Sequence, residues 1–138
     1  MALDVATLEE SFDLVAPQGD ELMRTFYGRL FETAPSVKPL FERVDMDRQR
    51  QALLNMLVVL RESLHDLEDI TPDLEDLGAR HVNYGAQPEH YPVVGEVLIG
   101  SMAEVAGDAW KPEYTDAWKE AFGVVQNVML TGATATAE

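Results

Sequence analysis

The sequence predicts an all-α domain. Apolar residues recur at spacings of three and four, sustained alternation is almost absent, and prolines at 17, 35, 39, 72, 88, 92 and 112 punctuate the pattern. These breaks place helices at about 4–16, 19–34, 46–64, 72–84, 89–106 and 111–130, with a single turn over about 35–40. In the second helix Tyr27 lies amid Phe26, Leu30 and Phe31. Gln49, Leu53, Met56, Leu57 and Leu60 share one stripe of the third, headed by an amide. The fourth opens on Thr71-Pro72-Asp73. There threonine can cap an orphan N–H, proline loses nothing at the first helical position, and aspartate complements the positive dipole end. Tyr84-Gly85 can stop that helix. No linker or repeat divides the chain, so residues 1–138 form a single domain, with the small, polar stretch 131–138 expected to be a frayed, disordered tail.

Composition narrows the function. The 138 residues carry 10 lysines and arginines against 25 acids, a formal charge of −15, and 46% of positions are apolar. A chain of this mass buries about two-thirds of its surface, enough for a real core and one small cofactor. The negative charge repels phosphate backbones and anionic headgroups, which argues against nucleic acid and membranes as partners. Solubility is the plain reading of the acidic excess, and adaptation to a salty cytoplasm is the alternative. With no cysteine there is no disulfide, thiolate metal site or thiol nucleophile. The amino terminus is acidic where a secretory signal is basic, and no run of apolar residues is long enough to span a bilayer. The expected location is cytoplasmic.

Imidazole is the soft metal ligand that remains. Glu62-Ser63-Leu64-His65 has the spacing of helical di-iron sites, which need the motif twice. No second copy exists, so these two read as surface residues near a helix end. His90, in the first turn of a proline-bounded helix, reads as solvated. His81 differs, because Leu74 and Leu77 precede it by seven and four residues and share its helical face. A histidine on such a stripe is more often a satisfied core residue than a ligand. Gln49 likewise reads either as a polar member of a core-facing stripe or as a helix-end side chain reaching for water. Tyr27 reads as an ordinary core tyrosine with its hydroxyl on a backbone carbonyl, unless a cavity needs a donor.

Taken in order, Thr25-Phe26-Tyr27-Gly28-Arg29-Leu30-Phe31, Ala34-Pro35, Lys38-Pro39-Leu40-Phe41, Gln49-x-x-x-Leu53, Arg80-His81-x-x-Tyr84-Gly85 and Pro88 to Glu96 form a recognisable series. The chain resembles the globin domain of bacterial flavohemoglobins and the related single-domain bacterial globins, over about residues 5–130. The resemblance implies a globin fold, six to seven helices in a three-over-three arrangement around a pocket for heme b. It makes His81 the proximal iron ligand and Tyr27 and Gln49 the distal polar pair. Phe41 becomes the phenylalanine wedged against the heme, Leu53 the apolar residue over the ligand, Leu57 and Leu77 heme contacts, Tyr91 a proximal tyrosine and Arg80 a propionate partner.

The implied ligands are diatomic gases: oxygen, nitric oxide and carbon monoxide. Donors from Tyr27 and Gln49 would favour a gas ligand that gains negative charge, giving tight, slowly released oxygen. The His81 Nδ1–H would donate to a main-chain carbonyl one turn back, near Leu77. The resemblance implies nitric oxide detoxification, the conversion of nitric oxide to nitrate, with a reductase expected to act in trans because the sequence ends at Glu138. Oxygen carriage, storage or gas sensing without turnover is the alternative, and a heme-free interaction protein is a third reading. One departure bears on these. Thr131-Gly132-Ala133-Thr134 stands where the family pattern carries a glutamate that polarises the proximal histidine, which implies less anionic push on the iron.

Overall fold

The computed structural model of the protein describes residues 4–83 and 89–137. Six α-helices account for most of them: α1 (Val5–Val15), α2 (Gly19–Thr33), α3 (Met46–Glu62), α4 (Thr71–Asn83), α5 (His90–Ala106) and α6 (Pro112–Ala137). Short 3-10 turns fill Ala16–Gln18, Pro35–Phe41, Leu67–Ile70 and Gly107–Ala109, and no strand occurs among the described residues. The all-α expectation holds, and the helix bounds agree to within two residues except at the end of α6. The helix stop expected at Tyr84-Gly85 lies outside the described residues. α6 continues to Ala137, through the stretch that the composition marks as a polar tail.

Local chemistry explains the boundaries. Asp4 caps α1 by accepting from the Thr7 amide at 3.2 Å and from its hydroxyl at 2.7 Å. Asp45 caps α3 through the amides of Asp47 and Arg48. Gly107, with φ +62°, ends α5 in a conformation that side chains avoid. Thr71 corrects an expectation: it is already helical, and its hydroxyl donates back to the Leu67 carbonyl at 3.2 Å instead of capping forward. The preceding 3-10 turn supplies that carbonyl, so the threonine splices the turn to α4.

α2 packs against α3 and α5, and α6 packs against α1, α5 and α4. The core is apolar apart from the buried hydroxyls of Ser11 and Ser101, with Trp118 fully buried among residues that include Leu8, Phe12, Leu22, Phe26, Leu98 and Met102. The Trp118 indole N–H donates to Ser11 Oγ at 2.8 Å, and that hydroxyl donates to the Leu8 carbonyl at 3.0 Å. The indole and hydroxyl of this α1–α6 contact are thereby both satisfied. Arg61 ties α3 to α1 by reaching Glu9 at 2.8 Å and Asp13 at 3.0 Å.

The tightest approach is between α4 and α6. A Cβ on Gly78 would penetrate the Met129 carbonyl, and one on Gly132 would penetrate the Glu75 carbonyl. Glycine inside a helix costs about 1 kcal/mol relative to alanine. Two helices here accept that cost at one crossing.

Candidate functional site

Two groups of predicted residues come together in the fold, one between α2 and α3 and the other on α4. On the first, Tyr27 projects from α2 into a nearly closed setting, 5% exposed. The Asp45 cap sets where α3 begins, and so places Gln49 in its first turn, facing α2. Gln49 Nε2 donates to Tyr27 Oη at 3.0 Å. Of the two readings of Gln49, the core-facing one holds. Tyr27 finds a side-chain donor in place of the expected backbone carbonyl.

Aromatic rings enclose this pair. Phe26 meets the Tyr27 ring edge-on with centroids 4.8 Å apart, and Phe41 does so at 5.8 Å. Phe31 lies 6.1 Å from Tyr27 and 5.5 Å from Phe41, closing the cluster. Burial pushes the Tyr27 phenol above its ordinary pKa, against smaller opposing effects of the Gln49 bond and the Arg50 charge. The phenol therefore keeps its proton at neutral pH and stays a donor. One and two turns along α3 from Gln49, Leu53 is half-buried and Leu57 is buried.

On α4, Leu74 is buried and Leu77 half-buried, and His81 follows on their face. His81 Nδ1 lies 2.7 Å from the Leu77 carbonyl. A carbonyl can only accept, so the hydrogen is on Nδ1 and the lone pair of the neutral ring is on Nε2. Burial holds the His81 pKa below its ordinary value; the Leu77 bond opposes this and the Arg80 charge reinforces it. The ring is neutral at physiological pH, the state in which imidazole binds metal. Tyr91 of α5 approaches, its ring centroid 6.3 Å from that of His81. Arg80 is exposed beside it.

The other histidines are elsewhere. His65 Nε2 lies 3.5 Å from the Glu9 carboxylate. No cluster of three or more His, Asp or Glu side chains among the described residues is placed to hold a metal ion. His90 opens α5 and is half-buried, where the sequence suggested a solvated position. Sequence reasoning assigned no role to four contributors to the first group, Phe26, Phe31, Asp45 and Arg50. Phe31 had a signal, being four residues after Tyr27 on one helical face. Asp45 had one too, as a capping residue ahead of an apolar stripe. Arg50, whose charge reaches Tyr27, had none.

Residues 24–129 match the Globin family model, which covers both groups. The chain belongs to the globin family. Heme is the cofactor of that family, and the donor set fits it: one neutral, half-buried imidazole with its lone pair on Nε2, and a separate polar pair set in apolar surroundings.

Among curated relatives, this globin is 30% identical to a flavohemoprotein of Bacillus subtilis over 133 residues, which is 93% of this chain and 33% of that protein. It is 33% identical over 119 residues to a flavohemoprotein of Halalkalibacterium halodurans, 85% of this chain and 29% of the relative. The chain thus spans about a third of the length of the curated relatives it matches. Among solved structures, a bacterial globin from Campylobacter jejuni superposes with a TM-score of 0.82 at 22% identity, covering 95% of this chain and 94% of that one. No helix among the described residues is long and apolar enough to cross a membrane.

Proposed function

We propose that this globin holds heme b through His81, stabilises a gas ligand with Tyr27 and Gln49, and serves to convert nitric oxide to nitrate. The observation that carries the reading is the 3.0 Å bond from Gln49 Nε2 to Tyr27 Oη within a cage of phenylalanines. When bound, heme supplies a ferrous iron that takes up diatomic gases. Everything else is asked of the protein.

Because Tyr27 Oη accepts from Gln49, its own O–H is left to donate elsewhere, and the accepted bond polarises that O–H into a stronger donor. A hydrogen bond to a ligand that gains negative charge contributes about 1.5–3 kcal/mol, roughly ten- to a hundredfold in affinity, whereas carbon monoxide gains little from it. Phe26, Phe31 and Phe41 lower the local dielectric and exclude water, which strengthens the same interaction. On the α4 side, the Leu77 carbonyl fixes the His81 ring plane and keeps Nε2 basic. Leu53, Leu57 and Leu77 would line the porphyrin faces, Tyr91 would flank the imidazole, and Arg80, exposed next to His81, would meet a propionate.

Nitric oxide and oxygen with one electron give nitrate, a reaction that needs no acid or base from the protein. The Tyr27 phenol, held protonated, suits that requirement: it orients and stabilises and does not transfer its proton. A structural neighbour supports this direction. An engineered carbene transferase made from a candidate nitric oxide dioxygenase of Rhodothermus marinus superposes with a TM-score of 0.80 at 24% identity, over 95% of this chain and 94% of that one. The electron would come from a reductase, which is the partner this reading requires.

The test is nitric oxide consumption by the heme-loaded protein with a flavin reductase and a nicotinamide donor, following nitrate. Stoichiometric nitrate from nitric oxide supports detoxification. A normal carbon monoxide spectrum with no nitrate above the protein-free rate would instead assign oxygen carriage or sensing. Absence of any Soret band on hemin addition would remove the heme reading altogether.

A further inference from the structure

The α4–α6 crossing does more than close the core. Glu75 and Gly78 on α4 face Met129 and Gly132 on α6 in a reciprocal pair of contacts, each glycine lying against the other helix's carbonyl three residues from that helix's own glycine. Both obstacles are backbone atoms inside helices, which cannot yield by changing a rotamer. Carbon and carbonyl oxygen settle at about 3.3–3.6 Å, so a methyl group at either position forces the helices apart by on the order of 1 Å. His81 follows Gly78 by three residues, within one turn of the same helix, so displacement of α4 is passed to the imidazole. At its other end α4 is spliced to the Leu67–Ile70 turn through Thr71, and the glycine crossing lies within one turn of the histidine.

We propose that Gly78 and Gly132 are positioning residues, whose backbone-to-backbone crossing sets how far α4 carries His81 toward the heme iron. This rests on the reading of His81 as the axial ligand. Both glycines act through the helix. Gly123, also on α6, has nothing near the place its Cβ would occupy and serves as the control for glycine replacement itself.

The experiment compares heme-loaded Gly78→Ala, Gly132→Ala and Gly123→Ala proteins by the iron–histidine stretching band of the ferrous form and by the rate of heme loss to an acceptor apoprotein. Gly78→Ala and Gly132→Ala are expected to shift the band by several wavenumbers and to speed heme loss about tenfold, the size of effect seen when a ligand's support is removed. Gly123→Ala is expected to change neither. A second background separates positioning from general loosening. In His81→Gly rescued with free imidazole the ligand is no longer tethered to α4, so adding Gly132→Ala should leave the iron–imidazole band where it was.

An unshifted band in alanine variants that retain wild-type helicity overturns the proposal and leaves His81 as ligand. A shift that persists in the imidazole-rescued background also overturns it, because the effect then does not pass through the tether. A wild-type band that survives His81→Gly without imidazole removes the ligand assignment itself. Gly132→Ala, in the last turns of α6, keeps the test open if Gly78→Ala does not fold; failure of both to fold assigns the crossing to folding alone and ends the positioning claim.

Discussion

The two functional groups of this globin are built on opposite plans. His81 is oriented by its own helix, through a bond to a carbonyl four residues earlier. Tyr27 and Gln49 are 22 residues apart and orient each other across two helices. The first arrangement survives small movements between helices, because helical geometry alone maintains it. The second depends on α2 and α3 keeping their separation, which the phenylalanine cluster and the Asp45 cap maintain. The His81 group is thus locally determined in orientation, and the Tyr27–Gln49 group is determined by packing.

Removing the imidazole breaks the comparison most severely. His81→Ala is expected to abolish stable heme binding, with recovery on adding free imidazole, as judged by the Soret band after gel filtration. Next in size is loss of the phenol. Tyr27→Phe should speed oxygen release by about ten- to a hundredfold in stopped flow while changing carbon monoxide release little, as expected for one hydrogen bond to a charged acceptor. A smaller effect, roughly three- to tenfold on the same rate, is expected for Gln49→Leu, since the glutamine polarises the tyrosine and Tyr27 can still donate without it. Equal effects from the two substitutions would mean that both side chains contact the gas directly, and would redraw the pair as parallel donors.

The smallest expected effect concerns pH. Burial lowers the His81 pKa in the folded protein, so below about 6.5, the usual histidine value, the unfolded chain takes up the proton first. The stability His81 contributes is complete above that pH and is lost as pH falls through the lower folded value. Apoprotein melts between neutrality and mild acid should therefore show a loss that His81→Gln reduces, and an identical slope in both proteins would mean that other groups carry the acid sensitivity. Tyr27, raised by burial, gives the opposite window, with effects confined to alkaline pH.

Legibility differed between the two groups for the same physical reason. The Leu74, Leu77, His81 stripe is a matter of helical offsets, so the face could be read from spacing, and the Nδ1 partner followed from the resemblance. Gln49 and Tyr27 could be named but not joined, because no periodicity within one helix reports which residue of another it meets. Thr71 shows the reverse failure. Its local signal favoured a forward cap, in which the hydroxyl oxygen accepts, whereas the 3-10 turn before it supplies a carbonyl to which the hydroxyl donates. Gly78 lay inside the expected fourth helix and Gly132 in the expected polar tail, and neither position reports the carbonyl against it.

The sequence alone determined the six helices, the apolar stripes and the face that His81 shares with Leu74 and Leu77, since each follows from offsets within a single helix. Only the tertiary structure decided that Gln49 spends its donor on Tyr27, that three phenylalanines enclose the phenol, and that α4 and α6 meet glycine against backbone. Those features are distances between helices, and such distances arise from how all the packed side chains share space, which no one segment of the chain contains.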